Sequence, residues 1–169
     1  MMKKLTLLSS LFALVIAMPE AFAAEVEVSW IAPDKYRDIY AGNENRKRFK
    51  EDVFRELEQH FAKLAEKLPA EQKLFIKVTD VDLAGDVNHG GIDRVRIIKE
   101  IFSPRIDFSY QLVDAKQVTL LSGEIKLKDM AFMMHSALKY RHDRFGYEKQ
   151  MLDQWFKKTF AAHEIKKAD

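Results

Sequence analysis

The sequence contains no cysteine, and that single absence removes three classes of function. No disulfide can form, no thiolate can hold zinc, and no thiol can act as nucleophile or redox partner. A lipid anchor attached through a cysteine beside a leader's cleavage point is excluded for the same reason. Proline and glycine are scarce, at four and six in 169 residues, and no internal repeat, low-complexity tract or second-domain boundary stands out. Beyond the first two dozen residues no apolar run reaches the roughly 18 to 20 residues that a spanning helix needs. Neither sign of charge dominates, with 28 basic and 26 acidic residues, a balance that singles out no polyanion such as nucleic acid. The basic run Arg46-Lys47-Arg48 is followed by Glu51, Asp52 and Glu56, which reads as one solvated helix face.

What is present begins with Lys3 and Lys4 ahead of an apolar run from Leu5 to Met18, closed by the small-x-small triplet Ala21-Phe22-Ala23. This is the pattern of a secretory leader cut after Ala23, its apolar part too short to anchor the chain. The expected organisation is a signal peptide over residues 1–23 and a single α+β domain over 24–169, working in the periplasm.

Hydrophobic periodicity divides the rest. Val26, Val28 and Trp30 alternate with Glu27 and Ser29, which predicts a strand ended by Pro33. Phe49, Val53, Phe54, Leu57, Phe61, Leu64 and Leu68 recur at three- and four-residue steps, which predicts a long amphipathic helix capped by Asn43 or Asn45 and stopped by Pro69. Leu74 to Leu83 reads as a strand breaking at Gly85, followed by a flexible loop at Asn88-His89-Gly90-Gly91. The stretch Val95 to Phe102 fits both periods, and its β-branched content favours a strand. Ile106, Phe108, Tyr110 and Leu112, then Leu121, Ile125 and Leu127 across Asp114–Gln117, predict a hairpin with one buried side. Two helices are expected after it, one capped by Asp129 over Met130 to Leu138 and one after Gly146 running to Phe160, with a charged tail from His163. The whole predicts an α+β fold, a mostly antiparallel sheet with a long N-terminal helix and C-terminal helices packed on one face. Leu57, Phe61 and Leu64 are expected to pack on Phe108, Tyr110 and Ile125, and every glycine and proline after the leader to mark a boundary or turn.

Taken together, Trp30-x-x-Pro33-x-x-Tyr36-x-Asp38-Ile39, Asn45-Arg46-x-x-Phe49, Asp80-x-Asp82-Leu83-Ala84-Gly85-Asp86, Pro104-Arg105-Ile106, Lys128-Asp129-Met130 and Tyr147-Glu148-Lys149-x-Met151-Leu152-x-x-Trp155-Phe156 resemble a bacterial family catalogued as domain of unknown function 3016. The resemblance runs from about Val26 to Phe160 and implies a secreted bacterial protein. It carries no catalytic or binding residue across.

The stretch TDVDLAGDV, residues 79–87, gathers Asp80, Asp82 and Asp86 around Gly85. With Asp80 as the first position of an EF-hand loop, Asp82 and Gly85 fall where that loop needs an oxygen and a sharp turn. Ala84 and Gly91 then stand where an oxygen and a bidentate glutamate belong, so the match fails. Strict alternation would put Asp80 and Asp82 on the face of Leu74, Ile76 and Val78, beside the core, where carboxylates need partners. Arg94, Arg96 and Arg105 are the candidate partners, and Asp80, Asp82, Asp86 and Arg105 form the candidate ligand site. The histidines show no HExxH spacing, His60 reading as a packed residue, and no G-x-S-x-G turn or phosphate loop occurs. Met130, Phe132, Met133 and Met134 are either core or the lining of a groove.

The leading expectation is a soluble periplasmic, non-enzymatic binding or envelope-maintenance module. The alternative is a divalent-metal-dependent hydrolase using Asp80, Asp82 and Asp86. No cofactor is expected, and the partner would be a protein or small ligand of the envelope, not nucleic acid and not through a membrane span.

Overall fold

A computed structural model describes residues 24–88, 90, 93–134 and 138–161. The expected leader, most of the glycine loop and the charged tail lie outside the described residues. In chain order the elements are β1 (Glu25–Trp30), α1 (Arg46–Ala65), β2 (Lys73–Asp82), β3 (Asp86–Val87), β4 (Arg96–Ile97), β5 (Arg105–Val113), β6 (Thr119–Lys128) and α2 (Gly146–Phe160), with short 3-10 turns at Pro33–Lys35 and Leu138–Tyr140.

Four strands form one sheet in the order β1-β2-β5-β6, and β3 with β4 forms a separate two-stranded ribbon. The fold is α+β, but two expectations about it are corrected. The sheet is mixed and not mostly antiparallel, because β1 pairs parallel to β2, Val26 opposite Leu74 and Trp30 opposite Val78. The long helix is not N-terminal either, since β1 precedes it. Both corrections have one cause: strand, helix and strand form a crossover unit, and a crossover returns the chain parallel to where it started. β2 with β5, and β5 with β6, pair antiparallel.

α1 starts where predicted, Asn45 accepting from the Arg48 N–H at 3.0 Å. Its buried stripe, Phe49, Val53, Leu57, Phe61 and Leu64, packs with Met151, Leu152, Trp155, Phe156 and Phe160 of α2 onto one face of the sheet. Phe61 meets Phe108 edge-on at 6.0 Å between ring centroids and Trp155 at 6.4 Å. The opposite face is polar, where Lys73 bridges Glu25 and Glu27. Tyr110 lies over Gly123, where an added Cβ would come within 3.0 Å of its ring. Gly123 therefore sits inside β6 and not at a boundary, because the ring of its cross-strand partner occupies the space of a side chain.

Three local expectations change. Val95 to Phe102 supplies only the two residues of β4. Residues 130–134 form turns in place of a helix, Asp129 accepting from the Ala131 N–H, while 135–137 lie outside the described residues. Of that cluster only Phe132 is buried; Met130, Met133 and Met134 are exposed. The third change concerns the acidic end of β2.

Candidate functional site

The pairing of β2 with β5 slips between Val78 and Asp80. This β-bulge adds one residue to β2 and reverses its alternation, so that Val81 and Leu83 take the core face that Leu74, Ile76 and Val78 hold before it. Asp80 and Asp82 are thereby turned away from the core, and the expected face-sharing with Val78 is corrected.

Each predicted carboxylate has its own partner. Asp80 Oδ1 accepts from the Arg37 N–H at 2.8 Å, and Oδ2 lies 3.4 Å from Arg37 Nε. Asp82 stands opposite Arg105 in the ladder, with 3.9 Å between Oδ2 and Nε. Burial, and then the neighbouring Asp38 carboxylate, push Asp82 above the usual aspartate range. Asp86 Oδ1 accepts from the adjoining Val87 N–H at 2.7 Å. Among the described residues no three His, Asp or Glu side chains are close enough together to hold a metal ion, which gives the hydrolase alternative no support.

Arg96, an expected partner of the acidic stretch, holds this turn through Asp38 and the turn's carbonyls, whereas Asp38 and Glu148 were not singled out in the sequence. Asp38 continues along the edge of β2, donating its N–H to Val81 O and accepting at its own carbonyl from the Leu83 N–H. Its carboxylate takes both Arg96 terminal nitrogens, each at 2.9 Å. Arg96 also donates to Gly85 O at 2.9 Å and Tyr40 O at 3.1 Å. One guanidinium so ties the 36–40 segment to the acidic turn, in the fork geometry that suits arginine. From the interior, Glu148 Oε1 accepts from the Ala84 N–H at 2.7 Å. Glu148 is 2% exposed, and burial raises its carboxyl above the ordinary value while the Ala84 amide pulls the other way. Gly85 has φ +79°, and a Cβ there would meet Ile97 O at 2.5 Å, so the turn requires glycine.

The turn separates two cavities. On the outer side, a cleft of about 380 Å³ is lined by Arg37, Asp38, Asp82, Asp86, Phe102 and Arg105. It brings together three of the four predicted site residues; Asp80 is not in its lining. Arg105 Nε is buried there without a hydrogen-bond acceptor among the described residues. On the inner side, at the start of α2, a second cavity of about 380 Å³ is lined by Phe49, Ile98, Arg141, Arg144, Phe145 and Glu148 among others. Arg144 is fixed between the rings of Phe49 and Phe145, at 5.4 and 5.3 Å, and pairs with Asp52 and Glu44 at 2.8 and 3.0 Å. Phe145 holds a left-handed φ of 57°. Gly146 follows because a Cβ there would strike Tyr140 O at 2.5 Å.

The other candidates have structural surroundings. His60 is buried with Nε2 3.0 Å from Asp153 Oδ1, and Lys139 Nζ and Tyr140 OH each lie 2.6 Å from Asp153 Oδ2. No signal in spacing could have joined residues 38, 84, 96 and 148. A glutamate among the apolar positions at the start of a helix was the one hint, since Glu148 stands three residues before Met151 and four before Leu152.

No curated protein and no solved structure matches the chain. The chain belongs to the family described as protein of unknown function (DUF3016), which matches over residues 24–158.

Proposed function

We propose that the chain is exported, cut after Ala23, and serves in the periplasm as a non-enzymatic module that binds a small amphipathic anion in the cavity at the start of α2. The observation that carries this reading is the lining itself: apolar Phe49, Ile98 and Phe145 beside Arg141, with the lining carboxylates Glu44, Asp143 and Glu148 engaged by Arg144, Lys149 and the Ala84 N–H. A volume of about 380 Å³ falls within the usual range of small-ligand sites. Arg144 is committed to Asp52 and Glu44, whereas Arg141 is exposed and forms no ion pair among the described residues. Arg141 is then the group that meets the anion, and the phenyl rings meet the tail. The leader pattern of residues 1–23 supports export, and no helix among the described residues is long and apolar enough to cross a membrane.

The test compares decanoate with decylamine, which share a tail and differ in charge. Decanoate should raise the melting temperature, as any ligand of the folded state does, and Arg141→Ala should abolish the rise. Equal responses to both compounds would sink the reading. The cleft at Asp82, Asp86 and Arg105 is the second reading, favoured by the raised Asp82 carboxyl and by an Arg105 Nε that has no hydrogen-bond acceptor among the described residues. Calorimetry with calcium, magnesium, manganese and zinc on the unaltered chain and Asp82→Asn decides it: binding that the variant loses moves the site to this cleft.

A further inference from the structure

β6 is the last strand of the sheet, ten residues long, with β5 on one side and no strand on the other among the described residues. Alternate N–H and C=O groups along it therefore point away from β5 with nothing in the sheet to receive them, the arrangement that recruits a further strand. Among the described residues, no backbone hydrogen bond outside the regular elements reaches residues 119–128. We propose that this edge pairs with the β6 edge of a second copy of the chain, antiparallel and centred on Ile125, to make one continuous eight-stranded sheet across a two-fold axis.

The charges on the strand select both the partner and the register. A two-fold axis normal to the sheet keeps each face on its own side, so only residues of the same face can stand opposite one another. Centring on Ile125 places Glu124 opposite the partner's Lys126, and by symmetry Lys126 opposite the partner's Glu124. Two cross-strand ion pairs form on the open polar face, where both residues are exposed. Centring one residue earlier sets Glu124 against the partner's Glu124; centring one residue later gives two Glu124–Lys128 pairs but sets Lys126 against the partner's Lys126, so of the three the Ile125 register alone opposes no like charges. Charge complementarity thus favours this alignment.

The protein as the cell makes it should show a concentration-dependent monomer–dimer equilibrium by analytical ultracentrifugation. Glu124→Lys and Lys126→Glu should each abolish the dimer, because each opposes like charges. Mixed together, the two variants should form a heterodimer, in which two lysines of one chain face two glutamates of the other. The double variant Glu124→Lys with Lys126→Glu should dimerise as the unaltered chain does. Circular dichroism on each variant confirms that the fold is kept, as expected for exposed positions. A chain that stays monomeric up to about 1 mM overturns the proposal and leaves the edge to strands of other proteins. So does a dimer that forms equally well in both single variants.

Discussion

Between the helices and the sheet, Phe61, Phe108, Trp155 and Phe160 interlock as an apolar wedge in which Phe61 and Phe160 are fully buried. At the far end of β2, a turn carrying two aspartates is held by Arg96 from one side and Glu148 from the other. The wedge needs only apolar surface in register, and many residues share its stability. The corner depends on a few directed hydrogen bonds, so each one matters singly and each could be replaced by nothing of different shape. A polar corner of this kind fixes where a loop stands, and here it fixes the wall between two cavities.

The comparison breaks most sharply at Phe61. Truncation to alanine removes a ring that touches both Phe108 and Trp155, and should cost about 3 to 5 kcal/mol in urea denaturation. A loss below about 1 kcal/mol would mean that the wedge rearranges freely, and the contrast with the corner would disappear.

That wedge was legible in the sequence because its residues follow periods of 3.6 and 2 that survive folding. Leu57, Phe61 and Leu64 were read as one stripe, and all three are buried. The parallel pairing of β1 was implicit in strand-helix-strand order, but alternation alone carries no strand direction. The bulge after Val78 was invisible: period 2 says nothing about where an extra residue enters, and one such residue moved Asp80 and Asp82 from the core face to the outside. The methionine segment misled for a different reason. Its apolar composition suggested burial, yet the chain turns there and only Phe132 reaches the interior. Arg96 stands among the arginines expected near the acidic turn, but its fork on Asp38 and the Glu148 contact with Ala84 were not legible, because those partners lie 58 and 64 residues apart in the chain.

At the corner the largest effect should come from Arg96→Met, which keeps the stem and removes the fork. Asp38 then loses both charged contacts, and the carbonyls of Gly85 and Tyr40 lose a donor, for a cost of about 2 to 3 kcal/mol. Arg105→Met is the control. Its pair with Asp82 is 3.9 Å long and its side chain is 38% exposed, so the cost should stay under about 1 kcal/mol. If the two substitutions cost the same, the turn is held by charge in general and not by the Arg96 fork.

Glu148 tests the corner by pH. Its folded carboxyl is raised, chiefly by burial, so the folded state holds its proton to higher pH than the unfolded chain does. Its contribution to stability is then most favourable in acid and declines as pH rises from the ordinary glutamate value through the raised one. Glu148→Gln keeps an oxygen for the Ala84 N–H and cannot ionise. Melting curves of the variant and the unaltered chain should coincide or favour the original near pH 4, with the variant gaining relative stability toward pH 8. A difference that does not change across this window would show that the carboxylate is no harder to ionise folded than unfolded.

The smallest effect belongs to the residue with which the acidic turn begins. Asp80 touches Arg37 through one backbone N–H and a 3.4 Å ion pair, and the Arg37 side chain is about half exposed. Exposed pairs of this kind contribute little, since water and salt compete for both partners. Asp80→Ala should therefore lower stability by about 0.5 to 1 kcal/mol, and by the same amount with and without EDTA. That equality separates two roles for the carboxylates. A residue that only ties the 36–40 segment to β2 loses its hydrogen bond whatever the solution contains. A carboxylate that served a bound cation would act through the occupied state, so its substitution would cost stability in calcium or magnesium and nothing in chelator. A cost that vanishes in EDTA would put a metal at the Asp80 carboxylate, and the corner would then be the margin of a site instead of a clamp on a turn.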